Sequence, residues 1–244
     1  MNSANVIEIF SSAQGEGKYI GCRQVFVRLA DCNLNCAYCD TNFARADFCR
    51  VETAAGSMTF RDVKNPLQAA QVAELVKNFC RDVPTQAVSF TGGEPLLHWQ
   101  FIREVAGLIK NFGAKIFLET NGTLPDEFIK IRDAVDIISM DIKLPSIGGN
   151  FFDVHRKFLT AACDKDLCVK IVVTGSTTRE EFLSAVELVA AVDTKILLIV
   201  QPVTPVGNVS APSAEKILSL QAAALNRLQN VRIIPQSHKL IGVT

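Results

Sequence analysis

Three cysteines lie close together early in the chain, within the segment DCNLNCAYCDT at residues 31–41. Three residues separate Cys32 from Cys36, and two separate Cys36 from Cys39. In a cytosolic protein, clustered thiols bind metal or do redox chemistry more often than they form disulfides. A set of three thiolates leaves one position of a metal centre without a protein ligand, and such a position can bind a substrate or cofactor.

Residue types and spacing leave three interpretations of this cluster open. A four-iron cluster held by three thiolates leaves one iron for a further ligand. A structural zinc site takes four protein ligands, so Cys22 or Cys49 would have to complete it. A redox dithiol made of Cys36 and Cys39 gives no role to Cys32. We expect the remaining cysteines to be free or buried thiols: Cys22, Cys49, Cys80, Cys163 and Cys168.

The composition argues against several classes of partner. Lys plus Arg and Asp plus Glu both number 25, and neither sign forms a block, so we expect a small-molecule substrate rather than nucleic acid. Hydrophobic residues make up 48% of the chain. The sequence nevertheless contains no uncharged apolar stretch of about eighteen residues, the length that a membrane span needs. The N-terminal sequence lacks a basic segment followed by an apolar one. We therefore expect a cytoplasmic protein.

The cysteines must be positioned by a framework of apolar segments that recur along the chain. Nearly continuous runs rich in Val and Ile are typical of parallel strands that are buried on both faces. Because helical patterns lie between most of them, the sequence predicts right-handed βαβ units and a parallel sheet. The predicted strands are residues 24–30, 86–92, 114–120, 134–143, 167–175, 195–203 and 230–235.

Two of the predicted helices have recognisable N-terminal signals. Asn65 is a candidate N-cap, with Pro66 in the first turn that follows it. Thr177 precedes Glu180 by three positions, which is a capping-box pattern. The helical patterns that we assign cover residues 65–80, 176–192 and 210–229.

About six βα units in 244 residues predict an α/β fold, a partial and open (β/α)6-type barrel in a single domain. Residues 44–63 break the alternation, and we expect an insertion there with a short hairpin. In parallel α/β folds, ligands bind beyond the carboxyl ends of the strands. The cysteines begin two residues after the predicted strand 24–30, so they fall where an active site is expected.

A second motif, SFTGGEPLL at residues 89–97, ends the next predicted strand. A Gly-Gly pair alone indicates no more than a turn. Together with the C-x3-C-x2-C cluster, however, it resembles the radical S-adenosylmethionine (SAM) superfamily. The resemblance implies a 4Fe-4S cluster on Cys32, Cys36 and Cys39, with SAM chelating the fourth iron and yielding a 5′-deoxyadenosyl radical. The residues that it implies for cofactor binding are Tyr38, Cys39, Asp40, Gly93, Glu94, Ser139, Asp141 and Gln201.

Some of these residues have an ordinary structural explanation as well. The ring of Tyr38 packs against a loop as readily as it stacks on adenine. Ser139, Asp141 and Gln201 are polar residues at the ends of apolar strands, where they also form hydrogen bonds at a barrel rim. Residue type and position leave both roles open.

A longer match indicates one family within the superfamily. Residues 8–41 are similar to 7-carboxy-7-deazaguanine synthases, and the similarity continues in residues 139–146, 201–205 and 235–243. The resemblance implies ring contraction of 6-carboxy-5,6,7,8-tetrahydropterin with loss of ammonia, on the path to queuosine and related 7-deazapurines. It implies that the radical takes hydrogen from C6 of the pterin and that hydrogen returns to regenerate SAM. The implied partners are an electron donor such as flavodoxin or ferredoxin, and a second copy of the chain in a homodimer.

The resemblance also implies how the substrate is bound. Gln14 and Glu16 satisfy the donors and acceptors of a pterin edge, although a polar turn in solvent explains them too. Arg28, if it faces the barrel interior, needs an anion such as the substrate carboxylate, whereas an outward-facing Arg28 is solvated. The implied substrate-binding residues are Gln14, Gly15, Glu16, Arg28, Thr91, His238 and Thr244.

Two further assignments come from the resemblance. Thr41 is implied as a ligand of Mg2+, an ion that binds few protein oxygens and keeps substrate or water oxygens as well. A helix N-cap is the structural alternative for this threonine. His238 and Lys239 would be part of a frayed tail on position alone. The resemblance instead places His238 against the pterin and implies that the terminal carboxylate, here that of Thr244, folds into the site.

Two other functions remain as alternatives. A glycyl-radical-enzyme activase shares the C-x3-C-x2-C spacing and acts on a protein, although the QGEG and SHK motifs at residues 14–17 and 237–239 argue against it. A non-enzymatic iron-sulfur or zinc module would act as a sensor or scaffold.

Overall fold

A mixed sheet with helices packed along one face organises the chain. The computed structural model describes residues 2–243, apart from the side chains of residues 147 and 148. The strands are β1 (Ser3–Ala4), β2 (Val6–Ala13), β3 (Arg23–Leu29), β4 (Phe48–Glu52), β5 (Phe60–Lys64), β6 (Leu67–Gln68), β7 (Ala87–Gly92), β8 (Lys115–Thr120), β9 (Ile137–Asp141), β10 (Asp166–Val173), β11 (Leu197–Pro202) and β12 (Val231–Ile233). The helices are α1 (Ala69–Asp82), α2 (Trp99–Ile109), α3 (Pro125–Ile131), α4 (Pro145–Gly148), α5 (Phe152–Ala162), α6 (Arg179–Ala190), α7 (Ala214–Leu225) and α8 (Ser237–Ile241).

The large sheet carries the predicted barrel. Across the described residues its strand order is β12-β11-β10-β9-β8-β7-β3-β2-β4-β5. Neighbouring strands are parallel from β3 to β12, and each crossover contains a helix. The predicted open (β/α)6-type barrel is therefore confirmed, and β12 extends it at the far edge. Within residues 2–243, no helix is long and apolar enough to cross a membrane.

Alternate residues of the parallel strands serve two different environments. Val27 and Leu29 of β3 join the large hydrophobic core that the sheet shares with its helices. Phe26 and Arg28, which alternate with them, point into the lumen of the open barrel and line a cavity there. The lower part of the lumen is filled by small apolar clusters, and its upper part is polar. The members of these clusters are Ala87, Phe117, Ile137 and Tyr19, and Cys168, Leu197, Ile199 and Ile234.

The predicted start of the first helix was wrong. Helix α1 begins at Ala69, because Leu67 and Gln68 first pair as a short strand with β1. Gln68 is the N-cap, and its N–H donates to Oε1 of Gln71 at 2.9 Å. The Asn65 side chain accepts from the N–H of Val6 at 3.2 Å instead of capping a helix. Long-range pairing at the chain's N-terminus thus overrides a local capping signal.

The predicted capping box of α6 was displaced by one residue. Thr178 is the N-cap, its hydroxyl accepts from the N–H of Glu181, and the Glu181 carboxylate accepts from the N–H of Thr178. Thr177 is buried in the preceding turn, where its hydroxyl accepts from the N–H of Thr174 at 2.9 Å. Adjacent threonines and adjacent glutamates offer both registers in the sequence. The turn decides between them.

The N-terminal edge of the sheet holds strands outside the βα alternation. Strand β2 was not predicted, and it pairs antiparallel with β3 and parallel with β4. Strands β4 and β5 form an antiparallel hairpin within the region where an insertion was expected. That this region is an insertion stays a prediction.

Candidate functional site

A cavity of about 680 Å³ opens at the carboxyl ends of the parallel strands. Lumen-facing residues of successive strands supply its polar walls. Among the residues predicted for a site, it is lined by Gln14, Gly15, Glu16, Arg28, Cys32, Cys36, Tyr38, Cys39, Asp40, Thr41, Thr91, Gly93, Ser139, Asp141, Gln201 and His238. Glu94 does not contribute to the lining, and Thr244 lies outside the described residues.

The three clustered cysteines share one wall of this cavity. Cys32, Cys36 and Cys39 line it from the loop that follows β3. In the described part of the chain, no three His, Cys, Asp or Glu side chains are close enough together to hold a single metal ion. In an iron-sulfur cubane, however, each thiolate binds a different iron, so thiols spaced around one pocket fit a cluster better than a zinc ion. Cys49, which would complete a zinc site, is fully buried in β4 instead.

Burial raises the pKa of Cys32 and of Cys36. Deprotonating these thiols inside the pocket therefore needs a compensating positive centre, and a bound metal supplies one. These cysteines are therefore suited to bind iron as thiolate ligands. They are not suited to act as an exposed reactive dithiol, whose thiolate form must be stable without metal.

The glycine turn after β7 lies directly against the start of the cysteine loop. A Cβ atom at Gly93 would lie 1.8 Å from the carbonyl oxygen of Asp31 and 3.1 Å from Cβ of Cys32. A Cβ atom at Gly92, where φ is +122°, would lie 2.2 Å from the carbonyl oxygen of Leu29. Glycine is required at both positions, because the two backbones could not otherwise approach so closely.

Glu94 acts inside the protein rather than on the cavity wall. Its fully buried carboxylate accepts from the N–H groups of Leu96 and Asn121 and from the hydroxyl of Thr120, at 3.0, 2.8 and 2.8 Å. Burial raises the pKa of Glu94 to about 7 in spite of these donors. The side chain joins the turn after β7 to the end of β8. Cofactor contact by this turn is therefore left to its backbone and to Gly93.

Asparagines that sequence reasoning missed hold the cysteine loop in place. The Asn121 amide, just after β8, donates to Oδ1 of Asn33 at 2.9 Å. The Asn33 amide in turn donates to the hydroxyl of Thr123 at 2.8 Å. Asp31, at the start of the loop, pairs with the guanidinium of Arg45. The signal was a run of polar residues, ETNGT, directly after a predicted strand.

A row of alternating charges crosses the cavity floor, and its lysines were also missed. Lys170 on β10 donates to Glu16 and lies 3.6 Å from Oδ2 of Asp141. Lys143 donates to the same Asp141 oxygen at 2.8 Å and to the Tyr38 hydroxyl at 3.2 Å. Lys170 lies in the middle of β10 and Lys143 two residues beyond β9, and each is the single cation of a predicted strand that is otherwise largely apolar. Tyr38, which belongs to the cysteine loop, is thereby tied to the segment that follows β9, and this contact accounts for a packing role.

Opposing effects set the charge of this row. Burial raises the pKa of Glu16, but the charge and hydrogen bonds of Lys170 and Gln236 outweigh it and lower that pKa to about 2. Burial lowers the pKa of Lys143, yet the nearby Asp141 leaves it raised well above its ordinary value. Glu16 and Lys143 are therefore both ionised near neutral pH, and each charge is neutralised locally.

Two buried oxygens facing the cavity have no hydrogen-bond partner among the described residues. They are Oδ1 of Asp141 and Oε1 of Gln201. A buried acceptor without a donor costs about 1–3 kcal/mol. Asp141 and Gln201 both line the cavity, so a hydroxyl or amine donor of a bound cofactor such as SAM is a chemically suitable partner for either oxygen.

Arg28 faces the cavity, as its predicted role requires, but it already has an anionic partner. Its Nε donates to Oε1 of Glu8 on β2 at 2.7 Å, and its guanidinium lies over the Phe10 ring. The solvated alternative is wrong for this residue. The substrate carboxylate is not needed to satisfy Nε, so a substrate contact would use the other end of the guanidinium. Glu8 was missed because β2 was not predicted.

Another polar cluster of the cavity is centred on a carboxylate that was also missed, that of Glu119 on β8. Its Oε2 accepts from the Thr91 hydroxyl at 2.8 Å. Its Oε1 accepts from the Gln14 amide at 2.8 Å and from the Ser89 hydroxyl at 3.5 Å. Gln14 is buried, so the solvated-turn interpretation is wrong for it. Thr91 and Glu119 both line the cavity.

The C-terminal segment is docked rather than frayed. The Gln236 amide donates to Glu16 at 2.8 Å and to Asp40 at 3.2 Å, and the N–H of Ser237 donates to the carbonyl of Gly15 at 2.9 Å. A Cβ atom at Gly15 would lie 2.1 Å from Nδ1 of His238, so the imidazole packs directly on this glycine. Gln236, His238, Lys239 and Val243 of this segment thus line the cavity.

His238 and its neighbour have different charges in that wall. Burial lowers the pKa of His238, so the ring is neutral near pH 7 and offers one donor and one acceptor. Lys239 pairs with Asp40. Burial raises the pKa of Asp40, but the hydrogen bond and charge of Lys239 outweigh it and keep that pKa below its usual value.

Thr41 lies on the cavity wall beside this pair. Its alternative role as a helix N-cap is wrong, because the next described element along the chain is β4. Its carbonyl lies 3.6 Å from Sγ of Cys39.

Comparison with known proteins decides which family uses this arrangement. A family model described as the radical SAM superfamily matches residues 27–205. A 7-carboxy-7-deazaguanine synthase from Geobacter sulfurreducens is 41% identical over 98% of this chain and 97% of that protein. A second, from Methanocaldococcus jannaschii, is 36% identical over 97% of this chain and 98% of that protein. The chain belongs to the 7-carboxy-7-deazaguanine synthase family.

The solved structures agree on the fold. The crystal structure of QueE from Escherichia coli matches with a TM-score of 0.63 at 19% identity, covering 97% of this chain and 95% of that one. The predicted superfamily and family are therefore confirmed. Membership of the radical SAM superfamily implies a 4Fe-4S cluster and SAM as cofactors. The roles of individual residues in a 7-carboxy-7-deazaguanine synthase site stay predictions.

The close approach at Gly93 gives a first prediction. Replacing Gly93 by Ala should push the cysteine loop away from β7, because the added Cβ overlaps the backbone of Asp31. We expect the variant to retain less than about a fifth of the wild-type iron and sulfide after anaerobic reconstitution, since the three thiols are displaced together. Gly107→Ala is the matched control, because a Cβ atom there has no neighbour within 4 Å. Equal iron content in both variants would show that the contact is unimportant.

The ion pair on the cavity floor gives a second prediction. In the wild type, the low pKa of Glu16 stabilises the fold above the ordinary value of 4.5, and this contribution is lost as pH falls towards about 2. Lys170→Met leaves burial as the main influence, so the pKa of Glu16 should rise. Stability should then fall as pH rises, with a loss of about 3 kcal/mol at pH 8. Urea denaturation at pH 5 and pH 8 measures this change.

The control for that change removes both charges. A Lys170→Met/Glu16→Gln protein leaves no buried charge at this point, so it should recover most of the stability lost at pH 8. Single and double variants of equal stability at pH 8 would contradict the assigned coupling.

Proposed function

We propose that the protein converts 6-carboxy-5,6,7,8-tetrahydropterin to 7-carboxy-7-deazaguanine with loss of ammonia. The observation that carries this proposal is the similarity over nearly the whole chain to proteins named 7-carboxy-7-deazaguanine synthase, at up to 41% identity among those compared. When bound, the cluster and SAM supply a 5′-deoxyadenosyl radical that abstracts hydrogen from carbon. The chain's own residues hold, orient and shield the reacting molecules.

The cofactor half of the cavity is the cysteine wall with the ends of β7, β9 and β11. Cys32, Cys36 and Cys39 are the proposed ligands of the cluster, and the turn at Gly93 gives SAM access to backbone groups. The free acceptor oxygens of Asp141 and Gln201 take donors of SAM. The remaining proposed contacts of the cofactor are with Tyr38, Asp40 and Ser139.

The substrate half offers complementary groups to a pterin. Ionised Glu16 and the carboxylate of Glu119 accept from ring N–H and amino groups, and neutral His238 offers one donor and one acceptor. The guanidinium of Arg28 that Glu8 leaves available binds the substrate carboxylate through charge-assisted hydrogen bonds. Gln14, Gly15 and Thr91 complete the wall through their contacts with Glu119 and His238.

Magnesium and the partners belong to the proposal as well. Thr41 lines the cavity, and its hydroxyl would contribute one oxygen to Mg2+ while substrate and water supply others. We propose a small electron donor such as flavodoxin or ferredoxin, a homodimer, and a cytoplasmic location. Sedimentation at micromolar concentration tests the dimer, and reduction of the cluster by purified flavodoxin tests the donor.

The decisive experiment is anaerobic reconstitution followed by incubation with SAM, dithionite, Mg2+ and 6-carboxy-tetrahydropterin. We expect 7-carboxy-7-deazaguanine by mass spectrometry, and we expect Cys32→Ala to abolish it because the cluster loses a ligand. Cys163→Ala is the matched control, since that exposed cysteine lies at the end of α5, away from the cavity. Deoxyadenosine formed only with a partner protein would favour an activase, and zinc without iron would favour a structural module.

The role of Thr41 gives a separate prediction. Thr41→Val keeps the shape of the side chain but removes its hydroxyl, so kcat/KM should fall at least about tenfold and its dependence on Mg2+ should disappear. Thr41→Ser keeps the hydroxyl and should retain both properties. Activity of the Val variant that still rises with Mg2+ as in the wild type would remove Thr41 from the metal site.

A further inference from the structure

A row of amide side chains runs from the floor of the barrel to the substrate half of the cavity. The Gln24 amide on β3 donates to Oε1 of Gln86 at 2.8 Å. The Gln14 amide donates to Oε1 of Gln24 at 3.0 Å and to Oε1 of Glu119 at 2.8 Å. The N–H of Glu16 donates to Oε1 of Gln14 at 3.0 Å. The row thus ends at two groups of the proposed substrate wall.

The direction of these hydrogen bonds is determined at the cavity end. An ionised carboxylate only accepts, and a backbone N–H only donates. Gln14 therefore turns its NH2 group to Glu119 and its carbonyl to Glu16. Its second N–H then needs an acceptor, and Gln24 supplies one. Gln24 must turn its own NH2 group to Gln86, so each amide in the row has one orientation.

Burial of the Gln24 side chain carries a free-energy cost, because its amide is removed from water. Its side chain is fully buried on the lumen face, one alternation below Phe26. An apolar side chain of similar length would fill the same volume without the cost of removing an amide from water. Gln24 does not line the cavity, so it has no contact of its own with a substrate there. The hydrogen bonds of its amide are with Gln14 and Gln86.

We infer that Gln24, supported by Gln86, is a positioning residue for the substrate. It fixes the orientation of Gln14 and, through Gln14, the carboxylate of Glu119 and the backbone of Glu16. Thr91 and Ser89 restrain Glu119 from the other side, so loss of Gln24 releases the Gln14 side rather than the whole carboxylate. The inference rests on the proposed function, because it assigns these groups to binding of the carboxypterin.

A double-mutant cycle on the reconstituted enzyme tests the inference. Gln24→Met fills the same space without hydrogen bonds and should raise KM for 6-carboxy-tetrahydropterin about five- to tenfold, within the range of one hydrogen bond, with kcat changed less than about twofold. In a Gln14→Ala background, the same replacement should change KM by less than about twofold, because Gln24 acts through Gln14. If Gln24→Met raises KM by the same factor in both backgrounds, or changes KM in neither, the inference is overturned.

A conservative variant separates orientation from packing. A protonated Glu at position 24 has one carbonyl acceptor for Gln14 and one O–H donor for Gln86, so it reproduces the pattern of the amide. Burial raises the pKa of such a carboxyl, and Glu119 and Glu16, the acidic groups that contact Gln14, act in the same direction. Arg23, the basic neighbour in the chain, donates to Ser11 instead.

Gln24→Glu should therefore match the wild-type KM within about twofold at pH 6 and resemble Gln24→Met at pH 9. Each value is divided by that of the wild type at the same pH. A Gln24→Glu enzyme that behaves like Gln24→Met at both pH values contradicts the inference. Should Gln24→Met fail to fold, Gln86→Leu removes the far end of the row and takes its place in the cycle.

Failure of the proposed function would give a different experimental result. If the wild type neither binds nor converts the carboxypterin, the proposed substrate is wrong. The row is then judged on a crystal structure of the Gln24→Met protein. An amide of Gln14 that has turned away from Glu119 supports the positioning role, and an unchanged Gln14 overturns it.

Discussion

The contact between the glycine turn after β7 and the beginning of the cysteine loop is the constraint on which the site depends. At Gly93 the approach is so close that any Cβ would overlap the carbonyl of Asp31. The N–H of Glu94 donates to that same carbonyl at 2.9 Å. A parallel pair of strands, β3 and β7, brings these loops to the same end of the sheet. The cysteine wall and the proposed SAM contact are therefore held together by backbone, which is more rigid than contact between long side chains.

Ionised groups are tolerated in the cavity because each has a neighbour of opposite charge. Glu16, Lys170, Asp141 and Lys143 alternate in sign across the floor. Removing one member leaves its neighbour buried without compensation, which costs more than the pair gains. The row also lowers the pKa of Glu16 and raises the pKa of Lys143 and of Lys170, so these three groups are ionised near neutral pH. A substrate therefore meets fixed donors and acceptors, and no protein group has to change charge when it binds.

Much of the fold follows from local patterns, and the details that failed depend on distant partners. The parallel strands could be predicted because both faces of β10 and β11 are mostly apolar, with Asp166 and Lys170 the charged residues of β10 and Gln201 the polar residue of β11. The start of α1 was wrong because Leu67 and Gln68 pair with residues sixty positions earlier. Strand β2 was missed since its sequence mixes Glu and Ser into an apolar run, and the cavity that accepts Glu8 is formed only by the folded chain.

The candidate site divides in the same way. The cysteines and the Gly-Gly turn form motifs of fixed spacing, so they could be predicted from the sequence. The structure places Cys32, Cys36, Cys39 and both glycines around the cavity. Glu119, Lys143 and Lys170 have no such spacing. Each is a single charged residue at the lumen-facing register of an apolar strand or just beyond its end, and strand alternation alone does not tell which face is inside. Arg28 shows the remaining difficulty, because the sequence left its inward and outward orientations open and its partner Glu8 came from an unpredicted strand.

The loop after β2 and the C-terminal segment contact each other in the open barrel. The loop after β2 crosses the lumen, where Tyr19 packs edge-on against Phe117 and its hydroxyl donates to Asp166 at the start of β10. The C-terminal segment then docks on that loop, because Ser237 donates to the carbonyl of Gly15. Gln236 joins this loop to Asp40 beside the cysteines. Since one side chain bridges the substrate wall and the cysteine wall, a displacement of either is transmitted to the other. The docked C-terminal segment is therefore part of the site's geometry.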